Sequence, residues 1–193
     1  MEREIVVTGI GGQGVQLVAK LLAQAAMREG RQVMTFGMFM GTIRGGSSES
    51  TVVVADRDIE SPPIVPRVWA AVAMHGAGLP ALTRKMRPGG VLLFNRGLVG
   101  EPAGWDEVHR IAVPATEMAK TMGQVLGAGM IALGAFAGAT GIVAVESLQT
   151  ALADVLPAHR RKLIDTNARC IARGAEHAAA NGIDASVCAW PGS

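Results

Sequence analysis

The chain is expected to adopt an α/β fold, a doubly wound and mostly parallel sheet followed by a helical C-terminal portion. Three observations predict it. Short apolar runs of strand length alternate with helix-length segments up to about residue 113. A glycine-rich turn, "TGIGGQGV" over Thr8–Val15, joins the first apolar run to the first helix. After Pro114 the strand pattern stops and only helical segments follow. No linker or internal repeat interrupts the 193 residues, so 1–193 reads as a single domain.

Each element has a local reason. Ile5-Val6-Val7 is short and wholly apolar, as in a strand buried on both faces. Gln16–Glu29 carries Leu17, Leu21, Leu22 and four alanines on one face, and Gly30 is its natural stop. Gln32–Phe36 reads as the second strand, so that strand, glycine turn, helix and strand make one right-handed βαβ unit. Ser48–Ala55 alternates and then runs apolar, which predicts a strand. Glu60–Pro66 is irregular because its three prolines forbid a ladder. Val68–Met74 is a strand, Leu79–Met86 a short helix, Arg87–Gly90 a turn, and Val91–Asn95 and Val108–Val113 are strands. Helices are placed near 115–122, 124–139, 144–155 and 158–180, with Gly141 and Pro157 as punctuation.

Composition narrows the function classes. Apolar residues make up 49 % and charged residues 18 %, which argues for a globular chain rather than a disordered one. A net charge of +2 is too small to argue for nucleic acid, and Arg160-Arg161-Lys162, the only basic run, reads as a solvated face. Aromatics are scarce and glycine abundant, which fits either a mostly buried subunit of an assembly or an Ala/Gly-rich genome. Cys170 and Cys188 lie outside any metal-ligand pattern and read as free thiols in a reducing cytosol. The chain opens on charge and strand without leader features, which predicts a cytoplasmic protein. Thr121–Val145 is free of charge and long enough to span a bilayer, but its many glycines and missing aromatic belt favour a buried or interface helix. His75, His109, His159 and His177 stand apart, and there is no nucleophile elbow, so the chain alone does not read as a complete enzyme.

The glycine turn is Rossmann-like. Gly9 permits a tight turn, Gly11 and Gly12 bare the backbone, and Gly14 lets the helix pack close to the sheet. Its first helical N–H groups favour an anion. A dinucleotide site also needs an acid at the end of the second strand, and none occurs between Glu29 and Glu49. A P-loop is excluded because Val15-Gln16 stands where Lys-Ser/Thr is required. Two readings stay open: a site for another phosphate- or amide-bearing group, or a purely structural turn. A second cluster, Arg44-Gly45-Gly46 followed by Ser47 and Ser48, should reach the same sheet edge. It would add one fixed charge and hydroxyls, which suit phosphate or carboxylate; the alternative is a loop held by an ion pair at an interface.

Three stretches resemble the gamma subunit, or gamma domain, of the thiamine-diphosphate-dependent 2-oxoacid:ferredoxin oxidoreductases. They are "GIGGQGVQLVAKLLAQAAMREG", "RGGSSESTVVVADRDIESPPI", and the pair "LGAFAGATGIVAVESLQTAL" and "KLIDTNARCIARG", together reaching from about residue 5 to 175. The chain departs from the family at Phe39-Met40-Gly41-Thr42, where many members carry Tyr-Gly-Pro-Glu, and this points to a subgroup for aryl or branched 2-oxoacids. The resemblance implies a non-catalytic gamma subunit. Its partners would be alpha (2-oxoacid oxidoreductase), beta (thiamine-diphosphate-binding) and delta (ferredoxin-like) subunits in a hetero-oligomer. Those partners would hold thiamine diphosphate, Mg²⁺ and [4Fe-4S] clusters. Coenzyme A would be the co-substrate, and electrons would pass to ferredoxin, or to NAD through a further FAD-bearing subunit. Gly9, Gly11, Gly12, Gln13, Gly14, Arg44, Gly45, Gly46 and Ser47 would then line the coenzyme A entrance or an interface. The competing readings are a stand-alone NAD(P)- or flavin-nucleotide-binding reductase, and a phosphate-binding module without enzymatic partners.

Overall fold

A computed structural model describes residues 1–39, 47–62, 64–102 and 104–181. Six strands form one sheet: β1 (Glu2–Ile10), β2 (Gln32–Phe39), β3 (Ser47–Ala55), β4 (Val68–Ala73), β5 (Met86–Asn95) and β6 (His109–Val113). Their spatial order is β2-β3-β1-β4-β5-β6. β1, β4, β5 and β6 run parallel, while β3 is antiparallel to both of its neighbours. The sheet is therefore mixed and mostly parallel, as the alternation of elements predicted.

The expected βαβ unit needs a correction. β1, α1 (Val15–Arg28) and β2 do form a crossover, and β2 runs parallel to β1, but β3 is inserted between them. Burial explains the choice. Thr51–Ala55 is buried on both faces and requires a neighbour on each side, whereas β2 exposes Gln32, Thr35 and Gly37 and tolerates an edge. Arg87–Gly90 is likewise no turn but the start of β5, where the pairing with β4 shifts register between Val68 and Ala70. Gly89 supplies a φ of +71° there and donates its N–H to the Glu107 carbonyl. The Pro-Gly-Gly signal thus serves a bulge. The 79–86 helix shortens to α2 (Leu79–Thr83), and an additional turn, α3 (Arg96–Val99), follows β5.

The C-terminal portion is helical as expected: α4 (Ala115–Thr121), α5 (Ala128–Thr140), α6 (Val145–Val155) and α7 (Ile164–Ala180). The stretch expected to open the last helix, 158–163, is instead a 3-10 segment on which Arg160, Arg161 and Lys162 are exposed. α1, α5 and α6 build the larger core over one sheet face, against Ile5, Val7, Val52, Val72 and Leu93. The other face is covered mainly by α2 and irregular chain, with Leu82, Trp105 and Val65 over Val6, Val53, Leu92 and Phe94.

All residues of α5 except Ala128 and Gly138 are buried. The α5 part of the charge-free stretch is therefore core, and no helix among the described residues is long and apolar enough to cross a membrane. α7 lies on α5 at backbone contact. A Cβ at Gly134 would collide with the Ile171 carbonyl, and one at Gly174 with the Ile131 carbonyl. Cys170 lies buried in this contact, where desolvation pushes its thiol up, while Cys188 lies outside the described residues.

Two predictions follow from this packing and from the start of β1. Gly134→Ala or Gly174→Ala should cost about 3 kcal/mol or more, because the obstacle is backbone. Gly76→Ala, whose Cβ would sit at an ordinary 3.8 Å from the Leu98 carbonyl, should stay within about 1 kcal/mol when all three variants are compared by urea titration. Glu2 accepts hydrogen bonds from the Ser61 hydroxyl and from the Glu60 and Ser61 amides, and these hold its carboxyl below the ordinary glutamate range. A depressed folded value stabilises above the unfolded value and is lost as pH falls through the folded one. Acid unfolding curves of wild type and Glu2→Gln should therefore differ above the ordinary glutamate range and converge below Glu2's lowered value.

Candidate functional site

β1 and β4 are parallel neighbours whose following segments leave in opposite directions, which places a topological switch point at their carboxyl ends. Ligands of open α/β sheets bind in such a crevice. Here it is a cavity of about 170 Å³, lined by Gly12 and Gln13 of the glycine turn, Met74, Asn95, Thr116 and the start of α5, with Leu98, Val125 and Leu126 among its lining.

The turn that forms one wall is built as its sequence dictates. Gly12 and Gly14 have φ of +94° and +74°, a region that side-chain-bearing residues rarely adopt. Gly11, Gly12 and Gly14 are exposed. Gly9 is buried, and a Cβ there would stand 2.6 Å from the Gln13 Oε1. The reason is that Gln13 folds back over the end of β1. Its Oε1 accepts the Ile10 amide at 2.9 Å, and its Nε2 donates to the Met74 carbonyl at 3.3 Å. Gln13 is thus a strut between β1 and β4, and its side chain ties down the turn it belongs to.

The opposite wall is held with similar economy. Asn95, fully buried at the end of β5, donates Nδ2 to the Thr116 hydroxyl at 2.8 Å and accepts the Thr116 amide at 3.3 Å. α5 begins against the turn, since a Cβ at Gly129 would lie 3.0 Å from Val18 and 3.3 Å from the Gln13 carbonyl. Neither α1 nor α5 has a side-chain cap or an acidic residue in its first turn. Two helix N-termini therefore bring positive potential to the crevice. Among the described residues its lining carries no titratable side chain. The described residues contain no group of His, Cys, Asp or Glu that could hold a metal ion.

The sequence-selected residues are partly brought together. Ser47, the first residue of β3, pairs with Ile10 and so stands beside the turn. Arg44, Gly45 and Gly46 lie outside the described residues, as do Met40–Thr42. Pattern reading missed the Asn95–Thr116 pair and the apolar rim. Leu126 is 89 % exposed, Val125 68 % and Leu98 42 %. In the sequence Val125-Leu126 is indistinguishable from core.

Among the described residues, then, the chain is a mixed α/β domain with a glycine turn at its switch point and no titratable side chain lining the crevice beside it. Comparison with known proteins makes this specific. The family model for pyruvate ferredoxin/flavodoxin oxidoreductase matches residues 4–177. The ketoisovalerate oxidoreductase subunit VorA of Methanothermobacter thermautotrophicus is 32 % identical over 93 % of this chain, which spans 37 % of that relative. The 2-oxoglutarate synthase subunit KorC of the same organism is also 32 % identical, over 81 % of this chain and 86 % of its own length. The crystal structure of a keto/oxoacid ferredoxin oxidoreductase gamma subunit from Geobacter sulfurreducens superposes with a TM-score of 0.80, at 28 % identity, covering 93 % of this chain and 98 % of that one. The chain belongs to the pyruvate ferredoxin/flavodoxin oxidoreductase family, as a gamma-type subunit of the 2-oxoacid:ferredoxin oxidoreductases.

Removing the strut should loosen the site. Gln13→Ala leaves a part-buried amide and carbonyl without partners and should cost about 1–3 kcal/mol. The loss is read by chemical denaturation, with faster hydrogen exchange at Ile10 as its local signature.

Proposed function

We propose that the chain is the non-catalytic gamma subunit of a complex that oxidatively decarboxylates a 2-oxoacid with coenzyme A, yielding acyl-CoA and CO₂. In this reading the switch-point crevice is one wall of the coenzyme A entrance. The observation that carries it is the convergence of two helix N-termini without side-chain caps on a crevice whose lining, among the described residues, bears no carboxylate. Such a wall attracts phosphate and does no acid–base work. The apolar rim of Leu98, Val125 and Leu126 supports the same reading, because contiguous exposed apolar side chains beside a site mark a docking surface. In this reading thiamine diphosphate, Mg²⁺ and [4Fe-4S] clusters belong to the alpha, beta and delta partners. Ferredoxin, or NAD through an FAD-bearing subunit, takes the electrons.

The stand-alone reductase reading fails on topology as well as on sequence. In a dinucleotide site the strand beside β1 ends at the crevice and presents the acid that holds the ribose. Here that neighbour is β3, which runs the other way and begins at the crevice with Ser47 and Ser48. The nearest acid on it, Glu49, is engaged by Lys85 at 3.0 Å.

Arg44 tests the ligand role. A charge-assisted hydrogen bond contributes about 1.5–3 kcal/mol, so Arg44→Ala in the assembled complex should raise KM for coenzyme A roughly tenfold or more. Unchanged KM with intact assembly would leave Arg44 an interface residue only.

A further inference from the structure

The sheet ends at β2, and the outer edge of this strand has no partner among the described residues. Edges of this kind are normally blunted by lysine, proline or inward charge, because their free N–H and C=O groups invite another strand. β2 has none of these protections: its eight residues, Gln32 to Phe39, read QVMTFGMF. Beside it runs a groove of about 420 Å³ between α1 and the strand. The α1 side presents Gln16, Lys20, Gln24 and Met27, which succeed one another along one helix face. The floor is Val33, Thr35 and Gly37 of β2 with Ser50 of β3.

Two details show that the groove is unfinished. Ser50 is 2 % exposed, and its hydroxyl has no hydrogen-bond partner. Lys20 is the only charged side chain in the lining, is exposed, and forms no ion pair among the described residues. A buried hydroxyl without a partner carries a desolvation cost that an incoming polar group would remove.

We propose that the β2 edge and this groove receive an extended strand from another subunit of the complex. That strand extends the sheet at β2, sets alternate side chains into the groove and brings a carboxylate to Lys20. Backbone pairing would supply affinity and the groove specificity, as in strand addition generally. A second copy of this chain fits less well. Its own β2 carries no acid, so β2-to-β2 pairing would bring no carboxylate to Lys20. The inference rests on the chain being a subunit of a larger oxidoreductase.

Hydrogen exchange of the full chain, alone and assembled with its alpha and beta subunits, tests it together with Lys20→Glu and Thr35→Lys. Both substitutions lie at exposed positions and should leave the melting temperature of the free chain unchanged. Assembly should slow exchange across Gln32–Phe39 at least tenfold, and each variant should weaken assembly by roughly tenfold or more. A complex that forms with wild-type affinity from both variants, and leaves β2 exchange unchanged, overturns the inference but not the subunit reading. A free chain that is already a dimer, and that Thr35→Lys converts to monomer, assigns the edge to a second copy and also overturns it. Failure of the wild-type chain to assemble at all removes the subunit reading and this inference together.

Discussion

The close contact between α5 and α7 is the constraint on which the rest of the structure depends. α5 is buried nearly all round, between the sheet and α7, and a helix in that position has no solvated face on which to vary. The two helices meet at glycine. Gly134 accepts the Ile171 backbone, Gly174 accepts the Ile131 backbone, and Gly127 faces the Cys170 sulfur at what would be 2.7 Å from a Cβ. Small residues here replace the large side chains that usually fill a helix–helix contact. Much of the glycine-rich, aromatic-poor character of the chain therefore has a mechanical cause. In place of aromatic bulk, the core is assembled by letting backbones approach.

That packing reaches the crevice directly. α5 starts where the glycine turn ends, and a Cβ at Gly129 would press on Val18 and the Gln13 carbonyl. The turn is therefore pinned from two directions, by Gln13 reaching across to Met74 and by the first turn of α5 pressing on it. A wall held in this way is fixed by the chain's own contacts. The Asn95–Thr116 pair does the same for the opposite wall at no cost in charge.

Most of the fold was legible in the sequence because its elements obey local rules. The apolar triplet Ile5–Val7, the alanine face of α1 with Gly30 behind it, and Gly141 ending α5 with a φ of +63° are signals a single chain carries plainly. The insertion of β3 between β1 and β2 was not legible. It depends on which strand most needs two neighbours, and that is a comparison between distant segments. Pro88-Gly89-Gly90 misled for a related reason, since the same dipeptides serve a turn and a bulge. At the site, Gly9 to Gly14 was found from its spacing, but the inward fold of Gln13 was not. A half-buried glutamine reads as a ligand until its two backbone partners are seen. Asn95 and Leu126 had no signal at all, because what matters about each is what stands opposite it in space.

The glycine fingerprint has structural reasons of its own in this fold. Its first glycine packs against Gln13, Val15 and Met74, and the third and fourth of its glycines take positive φ. None of these reasons mentions a nucleotide. What a nucleotide would add, an acid on the adjacent parallel strand, is removed by topology, since the adjacent strand runs in the opposite direction. The same inserted strand that occupies the place beside β1 puts the uncharged β2 at the sheet margin, where its outer edge has no partner among the described residues. One rearrangement thus sets this sheet apart from a dinucleotide-binding one, with a crevice at its switch point and, among the described residues, an open edge. Both features are of use to a protein that works between other chains.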